Sequence, residues 1–516
     1  MRHARRERCQ TQKRTIPIQS APSIPAASPA VIAGALIYLA AFALRLLPVF
    51  AFPAIEYPDE IFQAIEPAHR LVYGTGLVPW EFVYGTRSWA LPGFIAGLMR
   101  TARVFDDGPG AYMPLIGTVF AALGAASALC AFLWGRRLYG LWGGIVAGAL
   151  TACWLDAVYF GPRPLSEAVA AHVLVIGLYL AAPGYAVQGR GRLALAGFVL
   201  GVAALLRIQL ASAVAFFALW DWRDTAPAAR RLKPLVAGGV VALALFGAID
   251  AATWGWPGES IYRNLLINLW YGVSAYWGVE PWYYYFDSIV AYWGAVAAVM
   301  LVLARTGALR LPQPAVLALV ILLVHSAIGH KEFRFIYPAL LLAVISAGLG
   351  MAQVVEWIAD GLILHGASRR VALRAAGVPV LVLAVLTPAA LAAVPKYQAL
   401  WTREVDVVRA DRVVADLPNV CGIELYGVQW FLSGGYTLLH QNAPLYWIDD
   451  AAGFIAHRDA FNTVLSARPL PADAGFATVR CFDNVCVAQR PGPCAVLPMA
   501  KPETPPGLDK VTPLAQ

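Results

Sequence analysis

Long apolar segments that recur along the chain constrain its fold more than any other feature of the sequence. A bilayer core about 30 Å thick is crossed by a helix of roughly 20 apolar residues, and segments of this kind recur from residue 31 to about residue 394. Of the 516 residues, 59% are hydrophobic and 14% are charged, which is more apolar surface than a water-soluble domain carries. We therefore predict an α-helical polytopic membrane protein.

The first apolar segment follows a basic N-terminal arm. We predict that residues 1–30 form a disordered arm in the cytoplasm, and that 31–50 is an uncleaved anchor, because it is long for a signal peptide and no clear cleavage site follows. The other apolar segments are 110–134, 141–160, 165–183, 193–220, 234–253, 287–304, 314–329, 335–356 and 376–394.

Basic residues between the apolar segments predict which ends face the cytoplasm. The clusters are Arg136–Arg137, Arg190–Arg192, Arg223–Lys233, Arg305–Arg310 and Arg369–Arg374. They share one side only if 193–220 is a tight hairpin that turns near Arg207, which gives about eleven spans. The formal net charge of +8 lies largely in these junctions, so nucleic-acid binding is not expected. The segments left on the opposite, outer face are 52–109, 161–164, the region near Arg207, 254–286, 329–334 and the tail after Pro395.

The tail, residues 396–516, has no long apolar segment and is rich in turn-forming residues. Short runs at Cys421–Tyr426 and Tyr436–Leu439 are typical of β-strands. We predict a small soluble α/β domain outside the cytoplasm. Its cysteines permit disulfides in an oxidising compartment, with the pairing left open. They are Cys421, Cys481, Cys486 and Cys494.

Two adjacent carboxylates lie just beyond the first span, in Tyr57-Pro58-Asp59-Glu60-Ile61-Phe62-Gln63. A carboxylate next to a membrane suits transfer to a sugar hydroxyl, because that hydroxyl must lose its proton as the new bond forms. A solvated acidic loop is the alternative interpretation of this segment.

Aromatic residues accompany charged ones in two further outer segments. Trp80, Glu81 and Arg87 lie in the first, and Trp282 and Tyr285 lie in the second. Such residues can build a wall on which a sugar stacks. Belts of Trp and Tyr at the membrane interface are common, and this second interpretation is favoured for either segment taken alone.

The segment Gly329–Pro338 places a charged cluster between two apolar segments with almost no loop. His330, Lys331 and Arg334 can bind a diphosphate or phosphodiester and neutralise a leaving phosphate. Side chains that merely reach toward the interface are the alternative. Arg207 could likewise pair with a lipid phosphate or with a headgroup.

His330-Lys331-Glu332-Phe333-Arg334-Phe335, together with the Asp59 segment, resembles the signature of glycosyltransferase family 22. These mannosyltransferases elongate GPI anchors and N-glycan precursors with dolichyl-phosphate mannose. Trp80-Glu81 with Arg87-Ser88, and Gly278 with Pro281-Trp282-Tyr283-x-Tyr285, are similar to further motifs of the family, and the likeness spans about 31–350.

The resemblance implies the GT-C membrane fold and inverting transfer that needs no metal ion or other cofactor. It implies Asp59 as general base, Glu60 as its orienting partner, and His330, Lys331 and Arg334 as ligands of the donor phosphate, with Arg207 as a further candidate. Gln63 joins the aromatic residues above as a candidate substrate-binding residue.

The expected function is transfer of mannose from a polyprenyl- or dolichyl-phosphate donor to a lipid-linked glycan or glycolipid, giving an α-mannoside. Arg163-Pro164-Leu165-Ser166-Glu167 and Arg207-Ile208-Gln209 depart from the eukaryotic pattern, which leaves the acceptor open. The Ala- and Arg-rich composition favours a bacterial inner membrane with a periplasmic site over the endoplasmic reticulum.

Two other functions remain as alternatives. A transporter or flippase of lipid-linked sugars would carry ionisable residues near the bilayer midplane and two related halves. In this chain the charges cluster at one face and no halves match. A non-catalytic assembly protein with the same fold is the second alternative.

Overall fold

A computed structural model describes residues 28–182, 189–224, 228–499 and 501–514. Residues 1–27 of the predicted arm, and 225–227 within the basic junction 223–233, lie outside the described residues. Up to residue 394 the described chain is almost entirely helical. Its helices are α1 Pro29–Phe50, α2 Glu66–Tyr73, α3 Trp80–Val83, α4 Ala90–Ala102, α5 Pro109–Cys153, α6 Leu155–Phe160, α7 Ser166–Ala181, α8 Arg190–Leu206, α9 Ala211–Asp224, α10 Ala228–Trp254, α11 Glu259–Leu265, α12 Tyr284–Trp293, α13 Val296–Ala308, α14 Pro312–Ser326, α15 Tyr337–Leu364 and α16 Arg369–Leu391.

Among the described residues, five helical segments are long and apolar enough to cross a membrane, and a bent pair would make six. Three shorter apolar helices, of 10–17 residues each, accompany them. Most of the predicted apolar segments thus coincide with apolar helices, while the count of eleven spans stays a prediction. The five are Pro29–Phe50, Pro109–Cys153, Arg231–Trp254, Phe333–Leu364 and Arg369–Leu391.

Glycines break two of the helices. In α5, Gly140 has a left-handed φ of 72°, and Gly144 and Gly148 pack back against Phe132. The two predicted spans 110–134 and 141–160 are therefore the arms of a hairpin. The predicted span 287–304 is not one straight helix, because α12 and α13 meet at an angle of 107°, which makes it a broken span or a re-entrant loop. Gly294, with φ 55°, makes that bend without the steric cost that a side chain would add.

The predicted break at Arg207 is present. Helix α8 ends at Leu206, the backbone of Arg207 is extended, and a short 3₁₀ turn precedes α9. The ends of α7 show how charge is arranged around it. Glu167 lies in the first turn of α7, whereas Arg192 and Arg231 donate to carbonyls at the other end of this helix. These basic junction residues therefore lie at the opposite end of α7 from the acidic and aromatic outer segments.

The tail contains a five-stranded sheet in the order β2-β1-β3-β5-β4. Strands β2, β1 and β3 are parallel, and β5 and β4 continue antiparallel. The expected α/β character is confirmed. The strands are β1 Ile423–Tyr426, β2 Leu445–Tyr446, β3 Thr463–Ser466, β4 Ala477–Cys481 and β5 Cys486–Gln489, and the helices are α17 Pro395–Thr402, α18 Val405–Ala415, α19 Gly435–Leu439 and α20 Ala451–His457.

The strand predicted at Tyr436–Leu439 is wrong, because these residues belong to α19. A short apolar run has no period that separates a buried strand from a buried helix. The tertiary structure decides here, since the side chain of Glu66 accepts hydrogen bonds from the backbone N–H groups of Tyr436 and Thr437.

The tail shares a hydrophobic core with the first outer segment. Ile61 and Ile95 of that segment belong to the same buried cluster as Val407, Leu425 and Leu439 of the tail. Disulfides Cys421–Cys494 and Cys481–Cys486 are formed within the tail. The sheet is thus anchored on the segment that carries the predicted general base.

Candidate active site

The polar residues Asp59, Glu60 and Gln63 of the first outer segment lie just before and within a π-helix, Ile61–Ile65, that runs into α2. Single π turns inside helices recur at functional sites, because the extra residue re-aims its neighbours. Asp59 and Gln63 lie one turn apart and both line one cavity. Glu60, between them in sequence, points elsewhere.

That cavity has a volume of about 820 Å³. The first outer segment, the start of α7, the break at Arg207, the outer segment 254–286, the segment 328–335 and the tail all contribute to its wall. It brings together most of the residues that the sequence predicted for the site. They are Asp59, Gln63, Trp80, Glu81, Arg87, Arg207, His330, Lys331 and Arg334.

Three predicted residues do not line this cavity. Glu60 is buried, and its carboxylate accepts from Arg163 at 2.7 and 2.8 Å. Trp282 is 67% exposed on the outer surface, and Tyr285 is fully buried in the helical core. Trp282 is therefore a surface residue and Tyr285 a packing residue of the core.

Arg334 is the centre of a buried network of carboxylates. Its guanidinium donates twice to Glu332, at 2.9 Å each, and once to Asp59 at 2.5 Å. Glu167 lies 3.2 Å away on a third side, and Arg334 itself is 3% exposed. Burial acts against the charge of Glu332, but Arg334 and His330 together hold the pKa of this carboxyl well below its usual range. Arg334 thus positions the carboxylates around it.

Lys331 and His330 are also engaged within the protein. The Lys331 Nζ donates to the carbonyl oxygens of Glu280 at 2.8 Å and Ile328 at 2.5 Å. The ring of His330 lies 3.0 Å from the carbonyl oxygen of Gly278 and 3.2 Å from the Glu332 carboxylate. These two residues tie the outer segment 254–286 to the cavity wall.

Arg87 and Arg207 differ from these cations. The Nε of each is buried and has no hydrogen-bond partner within the described structure. The Nη1 of Arg207 is 3.7 Å from Glu167, and its guanidinium lies over the ring of Phe335. Buried N–H groups are nearly always paired in native proteins, so two unpaired Nε–H groups from arginines of the cavity wall indicate a site for an acceptor-rich ligand.

Glu81 faces the same cavity beside Asp59. Burial, and then the negative charge of Asp59, raise the pKa of Glu81 to about 7. Gln63 donates to its carboxylate at 2.7 Å. Asp59 is the more accessible of the two acids, with 27% of its side chain exposed against 7% for Glu81 as a whole. The cavity wall therefore carries two neighbouring carboxyl groups, of which Asp59 is accessible and Glu81 is buried with a raised pKa.

Several residues of the site escaped the sequence reasoning. Glu167 and Glu332 lay in segments that the sequence had singled out, but their role as partners of Arg334 depends on the fold. The tail adds Trp430, Phe431 and Glu503 to the cavity wall, and no sequence signal pointed to them. Within the described residues, no group of three or more His, Cys, Asp or Glu is arranged to hold a metal ion.

The sequence profile of the Alg9-like mannosyltransferase family matches residues 36–410. This chain belongs to the Alg9-like mannosyltransferase family. The match contains the Asp59 and Arg334 segments and ends before the β-sheet of the tail. The family resemblance inferred from the motifs is confirmed.

Relatives of the chain include GPI mannosyltransferase 3 of Drosophila melanogaster, 28% identical over 319 residues, or 59% of this chain and 54% of the fly protein. GPI alpha-1,2-mannosyltransferase 3 of Bos taurus is 26% identical over 337 residues, or 62% of this chain and 60% of the bovine protein. The chain thus matches less than two thirds of the length of these relatives.

ArnT from Cupriavidus metallidurans, solved bound to undecaprenyl phosphate, has a similar structure. The TM-score is 0.57 at 13% identity, covering 90% of this chain and 98% of ArnT. The apo form of ArnT superimposes with a TM-score of 0.56 at 12% identity, covering 89% of this chain and 98% of ArnT. At this level of identity the likeness concerns the fold, and the GT-C fold implied by the family resemblance is confirmed.

Proposed function

We propose that this member of the Alg9-like family is a membrane glycosyltransferase that transfers mannose from a polyprenyl-phosphate donor to a lipid-linked glycan or glycolipid. The observation that carries the proposal is the cavity lined by an accessible carboxylate, Asp59, and by two arginines, Arg87 and Arg207, whose buried Nε–H groups have no partner in the described structure. Family membership supports mannose as the sugar.

The proposed reaction is an inverting displacement. The acceptor hydroxyl oxygen attacks C1 of the mannose while the bond from C1 to the phosphate oxygen breaks, and Asp59 takes the hydroxyl proton. A carboxylate in this position acts as general base and contributes roughly 10²- to 10⁴-fold to the rate. Arg334 positions Asp59 for this role by donating a hydrogen bond of 2.5 Å to its carboxylate.

The leaving group needs positive charge. As the sugar departs, a phosphodiester becomes a phosphate monoester, which bears more negative charge, so fixed cations stabilise the transition state more than the bound donor. We assign this role to Arg87 and Arg207, because Arg334 and Lys331 already donate to carboxylates and carbonyls. His330, Lys331 and Arg334 then act by positioning the cavity wall.

The apolar side of the cavity suits an isoprenoid chain. Leu206, Phe246, Leu265 and Leu269 line it, and Leu269 is 61% exposed on the outside of the protein. A path from the phosphate-binding arginines past these residues would let a lipid tail leave the site into the bilayer. The donor lipid and its surrounding membrane lipids are the partners that this path supports.

The disulfides support a location for the site. Disulfides persist in the periplasm and in the lumen of the endoplasmic reticulum but rarely in the cytosol. Because the tail carries both disulfides and lines the cavity, we place the cavity on the non-cytoplasmic side. A bacterial inner membrane with a periplasmic site is the setting that we propose, and an endoplasmic reticulum membrane is the alternative.

Transfer assayed in membranes with radiolabelled polyprenyl-phosphate mannose tests the proposal. We expect labelled lipid product with the wild-type protein, and an unchanged rate in the presence of a chelator. Arg87→Ala or Arg207→Ala should weaken donor binding between about tenfold and a hundredfold, the loss of one charge-assisted hydrogen bond. Arg369→Ala is the matched control, since its side chain is 64% exposed and lies outside the cavity.

Three outcomes would contradict parts of this proposal. Absence of any labelled product with the wild-type protein would refute mannosyl transfer, and movement of the intact donor across the bilayer would instead favour a flippase. Unchanged donor affinity in both arginine variants would refute their assignment. Product formed by Asp59→Asn at the wild-type rate would exclude this residue as the base.

A further inference from the structure

The wall of the cavity is completed by a part of the chain that lies beyond the family match. The match ends at residue 410, yet Trp430, Phe431, Pro502 and Glu503 all line the cavity. The tail is therefore a component of the site itself.

Trp430 packs against the first outer segment. Its indole meets Phe62 edge to face, with ring centroids 5.2 Å apart, and lies 5.9 Å from the ring of Trp447. Phe62 precedes Gln63 in the same π-helix, so one short element presents Gln63 to the cavity and supports Trp430.

A buried carboxylate fixes the same part of the tail. Glu66, with no exposed surface, accepts hydrogen bonds from the backbone of Tyr436 at 3.1 Å and from the backbone and hydroxyl of Thr437 at 2.8 and 2.6 Å. It also accepts from the backbone of Leu77 at 2.8 Å. The position of Trp430 relative to Asp59 is thus set by two elements joined through packing and hydrogen bonds.

The C-terminal segment 501–514 is a second contribution of the tail. The backbone of Leu514 donates to Val83 at 2.9 Å, and Arg263 donates to the carbonyl of Thr512 at 2.8 Å. Leu508 and Val511 are buried against neighbouring outer segments. This anchoring holds Glu503, an exposed side chain, at the rim of the cavity.

The chemistry of this wall differs from that of Arg87 and Arg207. A half-buried tryptophan presents a flat apolar surface that fits the C–H face of a sugar ring, and a carboxylate accepts hydrogen bonds from sugar hydroxyls. Glu503 would repel a phosphate, because both groups are negative. These residues therefore fit a neutral sugar better than the donor phosphate.

We propose that the tail forms the acceptor subsite, in which Trp430 stacks on the terminal neutral hexose of the acceptor and Glu503 binds its hydroxyls. The inference rests on the proposed function and adds that acceptor choice is set by residues outside the family match. Trp430 and Glu503 are specificity-determining residues in this assignment and take no part in proton transfer or phosphate binding.

The test uses the full-length protein in detergent, labelled polyprenyl-phosphate mannose as donor and octyl α-mannoside as acceptor probe. Trp430→Ala should raise the KM for octyl α-mannoside about tenfold, while the KM for the donor and the slow hydrolysis of the donor by water stay at wild-type values. Trp430→Phe should restore most of the acceptor affinity. Trp256→Ala, an exposed tryptophan outside the cavity, is the control.

Glu503→Ala provides an independent variant, because this exposed residue can be replaced without loss of folding. It should raise the same acceptor KM severalfold. An unchanged acceptor KM in both Trp430→Ala and Glu503→Ala would overturn the acceptor subsite. Wild-type turnover that does not respond to octyl α-mannoside would overturn it as well. In either case, hydrolysis of the donor would still support the proposed function. A wild-type protein that neither binds nor hydrolyses the donor would instead refute the proposed function.

Discussion

Replacement of Arg334 distinguishes a residue that positions the site from one that binds the donor. Arg334 is 3% exposed and is surrounded by Asp59, Glu167 and Glu332. Removing one partner of a buried ion pair leaves uncompensated charge and costs about 3–5 kcal/mol. Because the side chain of Glu167 is only 1% exposed, water cannot replace the lost contact there. We therefore expect Arg334→Ala to be destabilised by an amount in this range.

Arg334→Lys should be intermediate. A single ammonium keeps the charge but cannot reproduce the two parallel hydrogen bonds to Glu332, so we expect a loss of about 1.5–3 kcal/mol. Arg403→Ala is the matched control. Arg403 also pairs with a carboxylate, Glu56 at 3.4 Å, but its side chain is 49% exposed, and exposed pairs contribute less than about 1 kcal/mol.

Thermal unfolding in detergent, followed by tryptophan fluorescence, measures the stability of these variants, and titration with donor lipid measures binding. We expect the melting temperature to fall most for Arg334→Ala, less for Arg334→Lys and least for Arg403→Ala. Arg87→Ala should leave the melting temperature near the wild-type value and weaken donor binding. An Arg334→Ala protein that melts like the wild type but binds donor poorly would refute the positioning role and restore Arg334 as a phosphate ligand.

Three further predictions concern the base, the tail and the topology. Asp59→Asn should reduce transfer by roughly 10²- to 10⁴-fold while donor binding in a direct titration is retained; a retained transfer rate would exclude Asp59 as the base. Burial lowers the pKa of His69 from 6.5 to about 4, so the unfolded chain binds a proton at this residue at a higher pH than the folded chain does. The free energy of unfolding should therefore fall by up to about 3 kcal/mol as the pH drops from about 6.5 to 4. His69→Gln should flatten this dependence in melting curves measured at several pH values, and equal slopes for the variant and the wild type would contradict it. Cysteines introduced at Ser88 and Ala367 should react with an impermeant reagent from opposite sides of the membrane, and labelling of both from one side would break the predicted topology.

The sequence predicted much of the fold because hydropathy is a local property of the chain. The segments 165–183 and 335–356 correspond to α7 and α15, and the break at Arg207 follows from the requirement that basic junctions share one side. The bend at Gly294 could not be predicted in this way. A glycine within an apolar run is compatible with either a straight helix or a kink, and packing around it selects one.

The sequence also predicted which residues gather around the cavity, but not how each is used. Asp59, Arg87 and Arg334 all line it, as their motifs suggested. A cation is available for a ligand only if its N–H groups lack partners, and that depends on carboxylates and carbonyls brought close by the fold. Arg334 is occupied by three carboxylates, whereas Arg87 keeps a buried, unpaired Nε.

The amino-acid sequence by itself determined that this is a helical membrane protein of the Alg9-like family, because apolar segments, charge asymmetry and short motifs are local properties of the sequence. The tertiary structure alone decided that the tail reaches the cavity. Trp430 meets Phe62 through packing between segments far apart in sequence, and Glu66 stabilises that arrangement with hydrogen bonds to the tail backbone. Contacts of this kind follow from the shape of the folded chain and leave no local pattern in either segment.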